Sequence, residues 1–488
     1  MKVELNLKKL AELVEEKPVF GWILFGATMF VTFLLGLFAS SVMERRVESR
    51  AMFQVVAPVD EMETRSDVWG NNYPREYERW KMTRRSDFKS KYNGSAVRDS
   101  LAEHPAMVVL WAGYAFSREY NQARGHMHAV EDVKKVLRTG VPQPGTCWTC
   151  KSTQVVPTMR RMGLDNYYGT KWEDLYSTFK ESIGCLDCHD PKTMDLQVKR
   201  PALVEAFNRR GKDIRKATHQ ELRSLVCAQC HVEYYFKDKK HLTFPWDKGL
   251  AVEDMEKYYD GIKHVDFVNP LSKARMLKAQ HPDWELAQTG IHFQRGLSCA
   301  DCHMPYRAEG GVKFTDHWVQ SPLNNMQTAC MVCHNESAAT LRKNVEDRQD
   351  RIQELRGQAE DALVRAHIEA KAAWKAGATE AEMADALLDI RHSQWRWDFV
   401  SASIGAAFHA PLECARILGS SINLAQEARL KISRVLVAHG VTGPVPMPDI
   451  STKAKAQAFI GLDMEKLRAE KDAQIKRLEK AQKAADFD

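Results

Sequence analysis

Three stretches of the chain carry a sustained hydrophobic pattern, and each is of a different kind. Pro18 to Met43 is an uncharged run rich in Phe, Leu, Val and Gly, long enough to cross a bilayer as one helix. Lys2, Lys8, Lys9 and Lys17 precede it, which fits a cytoplasmic N-terminus. Both an uncleaved anchor and a long signal peptide agree with this run. Ala39-Ser40-Ser41 offers small residues for cleavage, whereas the run exceeds an ordinary signal-peptide core of about 7–15 residues. Either way, the chain beyond residue 44 is expected to be exported. From Ser117 to Gly140, His126, Val130, Val133 and Leu137 recur at helical spacing and predict one helix with a histidine above an apolar face. Thr139-Gly140-Val141-Pro142 stops that helix and leaves Arg138 at its end. From Glu336 to Gly377, Leu341, Val345, Ile352, Leu355, Ala359 and Ala362 keep a 4-3 spacing that Arg348 interrupts. A long helix is predicted there, either buried in its own chain or paired with a second copy; the sustained seam favours a homodimer.

Between these stretches the pattern is broken. Residues 44–100 are polar and aromatic without a period, and residues 140–335 read as short helices joined by Gly/Pro-rich loops, with little β structure. Asp463 to Asp488 alternates acidic and basic residues at helical spacing and predicts a solvated tail helix. Four regions follow: an N-terminal tip and membrane segment (1–44), a central region (45–335), a long-helix region (336–462) and the charged tail (463–488). The expected fold class is mostly α. With 44% hydrophobic and 27% charged residues, the chain has the composition of a folded globular protein. Its formal charge of +6 is modest and no basic stripe stands out, which argues against a nucleic-acid partner.

Cysteine use changes the picture most. Four motifs have the form Cys-x-x-Cys-His: Cys185, Cys188 and His189; Cys227, Cys230 and His231; Cys299, Cys302 and His303; Cys330, Cys333 and His334. Such a motif attaches a c-type haem through two thioethers, and the histidine ligates its iron. One copy alone is compatible with a redox dithiol or half a zinc site; four within one region are not. A fifth pair, Cys147-Trp-Thr-Cys150, ends in Lys151. Five covalent haems c, large apolar plates, would supply much of the core that side chains otherwise build. Ten of the eleven cysteines fall in these motifs, and Cys414 reads as a small buried hydrophobe. Haem attachment of this type agrees with the exported, periplasmic compartment predicted from the N-terminus.

The motif order, the Cys-Trp-Thr-Cys-Lys variant and several flanking blocks resemble the ammonia-forming pentahaem cytochrome c nitrite reductases. The blocks are Arg-Gly-His126, Leu-Arg138-Thr-Gly, Val-Glu-Tyr234-Tyr-Phe, Ala-Gln-His281-Pro, Thr-Asp-His317 and Phe-His409-Ala-Pro-Leu-Glu, in family order over residues 65–430. The resemblance implies a multihaem cytochrome fold and the respiratory six-electron reduction of nitrite to ammonium. It implies distal iron ligands His317, His126, His409 and His292 for the second, third, fourth and fifth haems. Lys151 would ligate the first iron as a neutral amine and leave its other face open. Arg138, Tyr234 and His281 match the family's active-site positions, as anion holder, hydroxyl for late intermediates and proton relay. A calcium ion is implied beside them, held by the side chains of Glu233 and Gln280 and the carbonyls of Tyr234 and Lys278. The implied electron donor is a membrane-bound, quinol-oxidising multihaem cytochrome. One departure is that only the eight residues 139–146 separate Arg138 from Cys147, where many relatives carry a longer loop. A non-catalytic electron-transfer cytochrome is the alternative class, and sulfite or hydroxylamine are alternative substrates.

Overall fold

The computed structural model describes residues 12, 14–51, 55–140 and 143–485. The chain divides into two compact units, residues 1–58 with 309–312, and residues 59–308 with 313–488. The first is dominated by helix α1 (Pro18–Ala51). Its segment Pro18–Arg46 is long and apolar enough to cross a membrane, and none of its most apolar window is buried within the protein.

The second unit is built around three long helices, α2 (Ala338–Lys375), α3 (Glu380–Ala402) and α4 (Pro411–Ala438), followed by α5 (Met464–Ala485). Their ends are set by local chemistry. Ser337 Oγ accepts from Thr340 N at the start of α2. Thr379 and Glu382 form a reciprocal capping box at the start of α3, and Pro411 opens α4 where no backbone N–H is needed. Helix α4 packs along both α2 and α3. Ser393 and Ser421 exchange hydroxyl-to-carbonyl hydrogen bonds of 2.7 Å across the α3–α4 contact, so small residues bring those helices close. Cys414 is fully buried in this core, as its apolar surroundings in the sequence suggest.

Residues 65–335 form short helices and turns with a few two-stranded pairs of short strands. Strand β1 (Tyr235–Lys237) runs antiparallel to β2 (His241–Thr243) with Tyr235 opposite Thr243, and β3 (Phe267–Val268) runs antiparallel to β4 (Arg275–Met276). The mostly-α expectation agrees with this architecture.

Three readings of the hydrophobic pattern need correction. Residues 117–140 are not one helix: only Ala129–Lys135 is α-helical, with 3-10 turns at His126–His128 and Leu137–Gly140. Gly125 has φ 124°, where a Cβ would strike the Thr83 carbonyl at 2.7 Å, so the chain turns sharply just before His126. The α2 seam faces its own chain: Leu341, Ile352, Ala359 and Ala362 are buried, while Val345 and Leu355 pack against the same cores. The spacing therefore records intramolecular packing and supplies no argument for a partner helix. The tail helix α5 is not simply solvated, because Lys471 and Leu478 are buried on its inner face.

Candidate active site

All the motif cysteines except the exposed Cys333 line a common cavity of roughly 1620 Å³, bordered by residues from Trp69 to His409. Small-molecule pockets span about 300–1,000 Å³, so this volume suits several large groups rather than one ligand. None of the eleven cysteines is in a disulfide.

Histidines face one another across the cavity. The ring centres of His189 and His317 are 6.0 Å apart, those of His303 and His409 6.1 Å, and those of His292 and His334 6.2 Å. Two imidazoles on one metal, each with a bond of about 2 Å and about 1.2 Å from nitrogen to ring centre, have centres roughly 6.4 Å apart. His126 lies by His231, whose charge adds to burial in pushing the His126 imidazole down to about 4. Burial also takes His189 and His303 to about 4, with the facing histidine contributing in each case. All three are thus neutral imidazoles, the form that binds a metal.

The second ring nitrogen is tied in several cases. His189 Nδ1 donates to the Met194 carbonyl at 2.8 Å, His303 Nδ1 to that of Gln320 at 2.9 Å, and His317 Nδ1 to that of Thr315 at 2.7 Å. His231 Nδ1 is 3.5 Å from the Asp283 carboxylate. These contacts fix the tautomer and turn Nε2 toward the cavity, the outer-shell arrangement of metal-bound histidines. The paired cysteines, neutral facing histidines and large shared cavity fit covalently held haem.

The lysine motif has a different neighbourhood. A 3-10 turn, Gly145–Trp148, presents Cys147. Trp148 is fully buried, stacks on Trp172 at 5.1 Å with planes 5° apart, and donates to the Trp172 carbonyl. Around this motif stand Arg138, Tyr234 and His281. The Arg138 guanidinium lies 4.2 Å over the Phe116 ring, and its Nε is buried with no partner. Gln143 ties the two sides together: Nε2 donates to the Arg138 carbonyl at 2.8 Å, and Oε1 is 3.2 Å from Cys147 Sγ. Tyr234 and His281 have ring centres 6.2 Å apart. Burial, then the nearby Cys150 and Cys147, push the Tyr234 hydroxyl well above its usual range. Burial, then the Lys151 charge, lower His281 to about 3.

Behind this site is a nest of oxygen donors. Glu233 is fully buried; its Oε2 accepts from Gln280 N at 2.6 Å and its Oε1 from Tyr259 OH at 3.0 Å. Gln280 Nε2 donates to the Lys278 carbonyl at 3.1 Å. Burial raises the Glu233 carboxyl well above the ordinary range, and among the described residues no Lys or Arg pairs with it. A buried carboxylate beside amide and carbonyl oxygens has the donor chemistry of a hard cation site. Sequence reading missed two buried acids here. Asp398 on α3 accepts from Lys278 Nζ at 2.9 Å, from Ala279 N at 3.1 Å and from Trp111 Nε1 at 3.4 Å, pinning the segment that carries Gln280 and His281. Glu285 accepts from Glu233 N and Trp246 Nε1. Asp398 in an aromatic stretch, Trp395-Arg-Trp397-Asp398, is a detectable signal of a buried polar role; Glu285 has none.

A helical protein with haem-attachment motifs and facing histidines around one shared cavity is a multihaem c-type cytochrome. The Cytochrome c552 family model matches residues 65–487, and the chain belongs to that family. It is 58% identical over 465 residues to cytochrome c-552 of Bacteroides fragilis, covering 93% of this chain and 94% of that protein. With cytochrome c-552 of Bacteroides thetaiotaomicron it shares 55% identity over 465 residues, with the same coverage of both. Among solved structures it resembles the catalytic subunit of cytochrome c nitrite reductase from Desulfovibrio desulfuricans, described for its two calcium sites. That likeness has a TM-score of 0.74 and 30% identity, and covers 79% of this chain and 90% of the other.

Proposed function

We propose that the chain is a cytochrome c nitrite reductase that carries nitrite to ammonium with six electrons and eight protons, releasing two waters. The observation that carries this reading is the company kept by the one motif without a histidine: Arg138, Tyr234 and His281 stand close to it, whereas three of the other four motif histidines face a second histidine ring and the fourth, His231, has His126 nearby. Haem, when bound, supplies the iron that takes nitrite and the electrons that reduce it.

The residues divide the remaining work. Cys147 and Cys150 would hold the catalytic haem, and Lys151, as a neutral amine, would be the nitrogen donor to its iron. His189 with His317, His231 with His126, His303 with His409 and His334 with His292 would hold the irons of four electron-carrying haems. Arg138 binds an oxygen of nitrite and compensates its charge in a site shielded from water. His281, beside Tyr234, hydrogen-bonds the substrate and relays protons to it. Tyr234 offers its hydroxyl to partly reduced nitrogen species. Sulfite, hydroxylamine and nitric oxide are small enough for the same site and are proposed as secondary substrates.

Glu233 and Gln280 through side chains, and Tyr234 and Lys278 through carbonyls, are proposed to hold calcium, as the calcium sites of the Desulfovibrio relative suggest. The apolar helix α1 supports export to the periplasm by anchor or signal peptide, with a membrane-bound quinol-oxidising cytochrome as donor. The division at residues 44, 335 and 462 belongs to the same reading. So does a homodimer, supported by the exposed Leu388, Leu430 and Val437 on α3 and α4. A high-spin ferric absorption band near one-fifth of total haem, altered by nitrite, is expected; five low-spin haems would instead mark an electron-transfer cytochrome.

A further inference from the structure

Helix α5 carries a lysine that its charged sequence conceals. Lys471 is only 3% exposed. Its Nζ donates to Thr139 Oγ1 at 2.8 Å, one residue from Arg138, and the Thr139 hydroxyl donates onward to the Val133 carbonyl at 2.9 Å. The same ammonium lies 5.3 Å from the centre of the Trp172 ring, which stacks on Trp148 between the cysteines of the lysine motif. One turn on, Gln474 and Arg477 donate to the two oxygens of Glu173, at 2.6 and 2.8 Å, and so hold the residue next to Trp172. One helix thus touches both the turn that carries Arg138 and the tryptophan stack that packs behind the lysine motif.

The chemistry of Lys471 points past simple packing. Its hydrogen bonds go to the neutral oxygens of Thr139 and Gln474, and among the described residues it makes no ion pair. A buried charge without a direct ion pair is costly even with Glu119 and Glu173 near enough to offset part of that cost, and an apolar side chain of similar length would fill the place at lower cost. Burial has already lowered the amine to about 8. The segment that it grips is the short Leu137–Gly140 turn, outside any long helix.

We propose that α5, through Lys471, is a positioning element for the substrate anion: it fixes the turn that carries Arg138 against the lysine motif. The inference rests on the reading of Arg138 as the nitrite-binding residue.

Steady-state nitrite kinetics on the haem-loaded, full-length protein test it, with Lys471→Met, Thr139→Val, Arg138→Gln and the double variant Lys471→Met/Arg138→Gln. Lys471→Met and Thr139→Val each remove one end of a charge-assisted hydrogen bond. Each should raise the nitrite KM about 10-fold with kcat changing less. The double variant should bind nitrite about as weakly as Arg138→Gln alone, since both act through one contact. If Arg138→Gln raises KM while both Lys471→Met and Thr139→Val leave it at the wild-type value, the α5 inference is overturned and the Arg138 reading survives. Full additivity in the double variant, or a lowered Tm with unchanged KM, would likewise reduce Lys471 to a structural role. An unchanged KM in Arg138→Gln removes the Arg138 reading and the α5 inference with it.

Discussion

Lys151 stands where four other motifs have histidine, and the account assigns it one task, that of a neutral nitrogen donor to iron. Lys151→Ala should leave the first haem attached through Cys147 and Cys150, because the thioethers do not depend on the lysine. Nitrite turnover should fall about 100-fold or more, the scale of a displaced reacting centre. Near-wild-type turnover in a variant whose pyridine haemochrome assay shows full haem loading would refute the assignment. Arg138→Gln tests the anion side. A hydrogen bond to a charged group contributes about 1.5–3 kcal/mol, so the apparent nitrite affinity should drop roughly 10- to 150-fold. A KM for nitrite equal to that of the wild type would remove Arg138 from the binding role. These residues were legible because haem attachment demands cysteines at fixed spacing and because the flanking blocks keep the family order. Asp398 and Glu285 were not, since their partners come from residues more than 100 and about 40 positions away in the chain.

Between elements, single buried polar residues set how the long helices meet. His367 on α2 accepts from Ser272 Oγ at Nδ1 and donates from Nε2 to Gln394 Oε1 on α3, both at 2.8 Å. Burial lowers its imidazole from 6.5 to about 4. The unfolded chain takes up a proton near 6.5, whereas the folded chain resists until about 4. This contribution is therefore complete above pH 6.5 and is lost as pH falls through that window, by at most about 1.4 kcal/mol per pH unit. The urea midpoint should fall between pH 7.5 and pH 5, and His367→Gln should flatten that dependence; equal slopes in both proteins would reject it. The elements also show where periodicity misleads. A histidine and three apolar residues at helical spacing did place His126 and Val133 on the cavity side of the core, but the pattern cannot register the turn at Gly125. The α2 seam was real and its partner was α4 of the same chain. In α5 the alternating charges hid Lys471, because a buried ammonium reads in sequence like a solvated one.

At the scale of the whole molecule, the haem plates and the proposed hard cation would share one interior with the protein, and each can be removed or tested separately. Exhaustive chelation should lower nitrite turnover reversibly without releasing haem, since calcium would brace the backbone of Tyr234 and Gln280 beside the catalytic groups while the haems are covalent. Elemental analysis that finds no stoichiometric calcium in fully active protein would exclude that brace. Sedimentation of the exported portion tests self-association, with twice the chain mass expected. The most direct test of the whole account is the product balance of the haem-loaded protein given nitrite and a chemical reductant under anaerobic conditions. One ammonium formed and six electrons consumed per nitrite are expected, with no accumulation of nitric oxide or hydroxylamine. Electrons passing through the protein with nitrite left untouched, or nitric oxide as the end product, would contradict it.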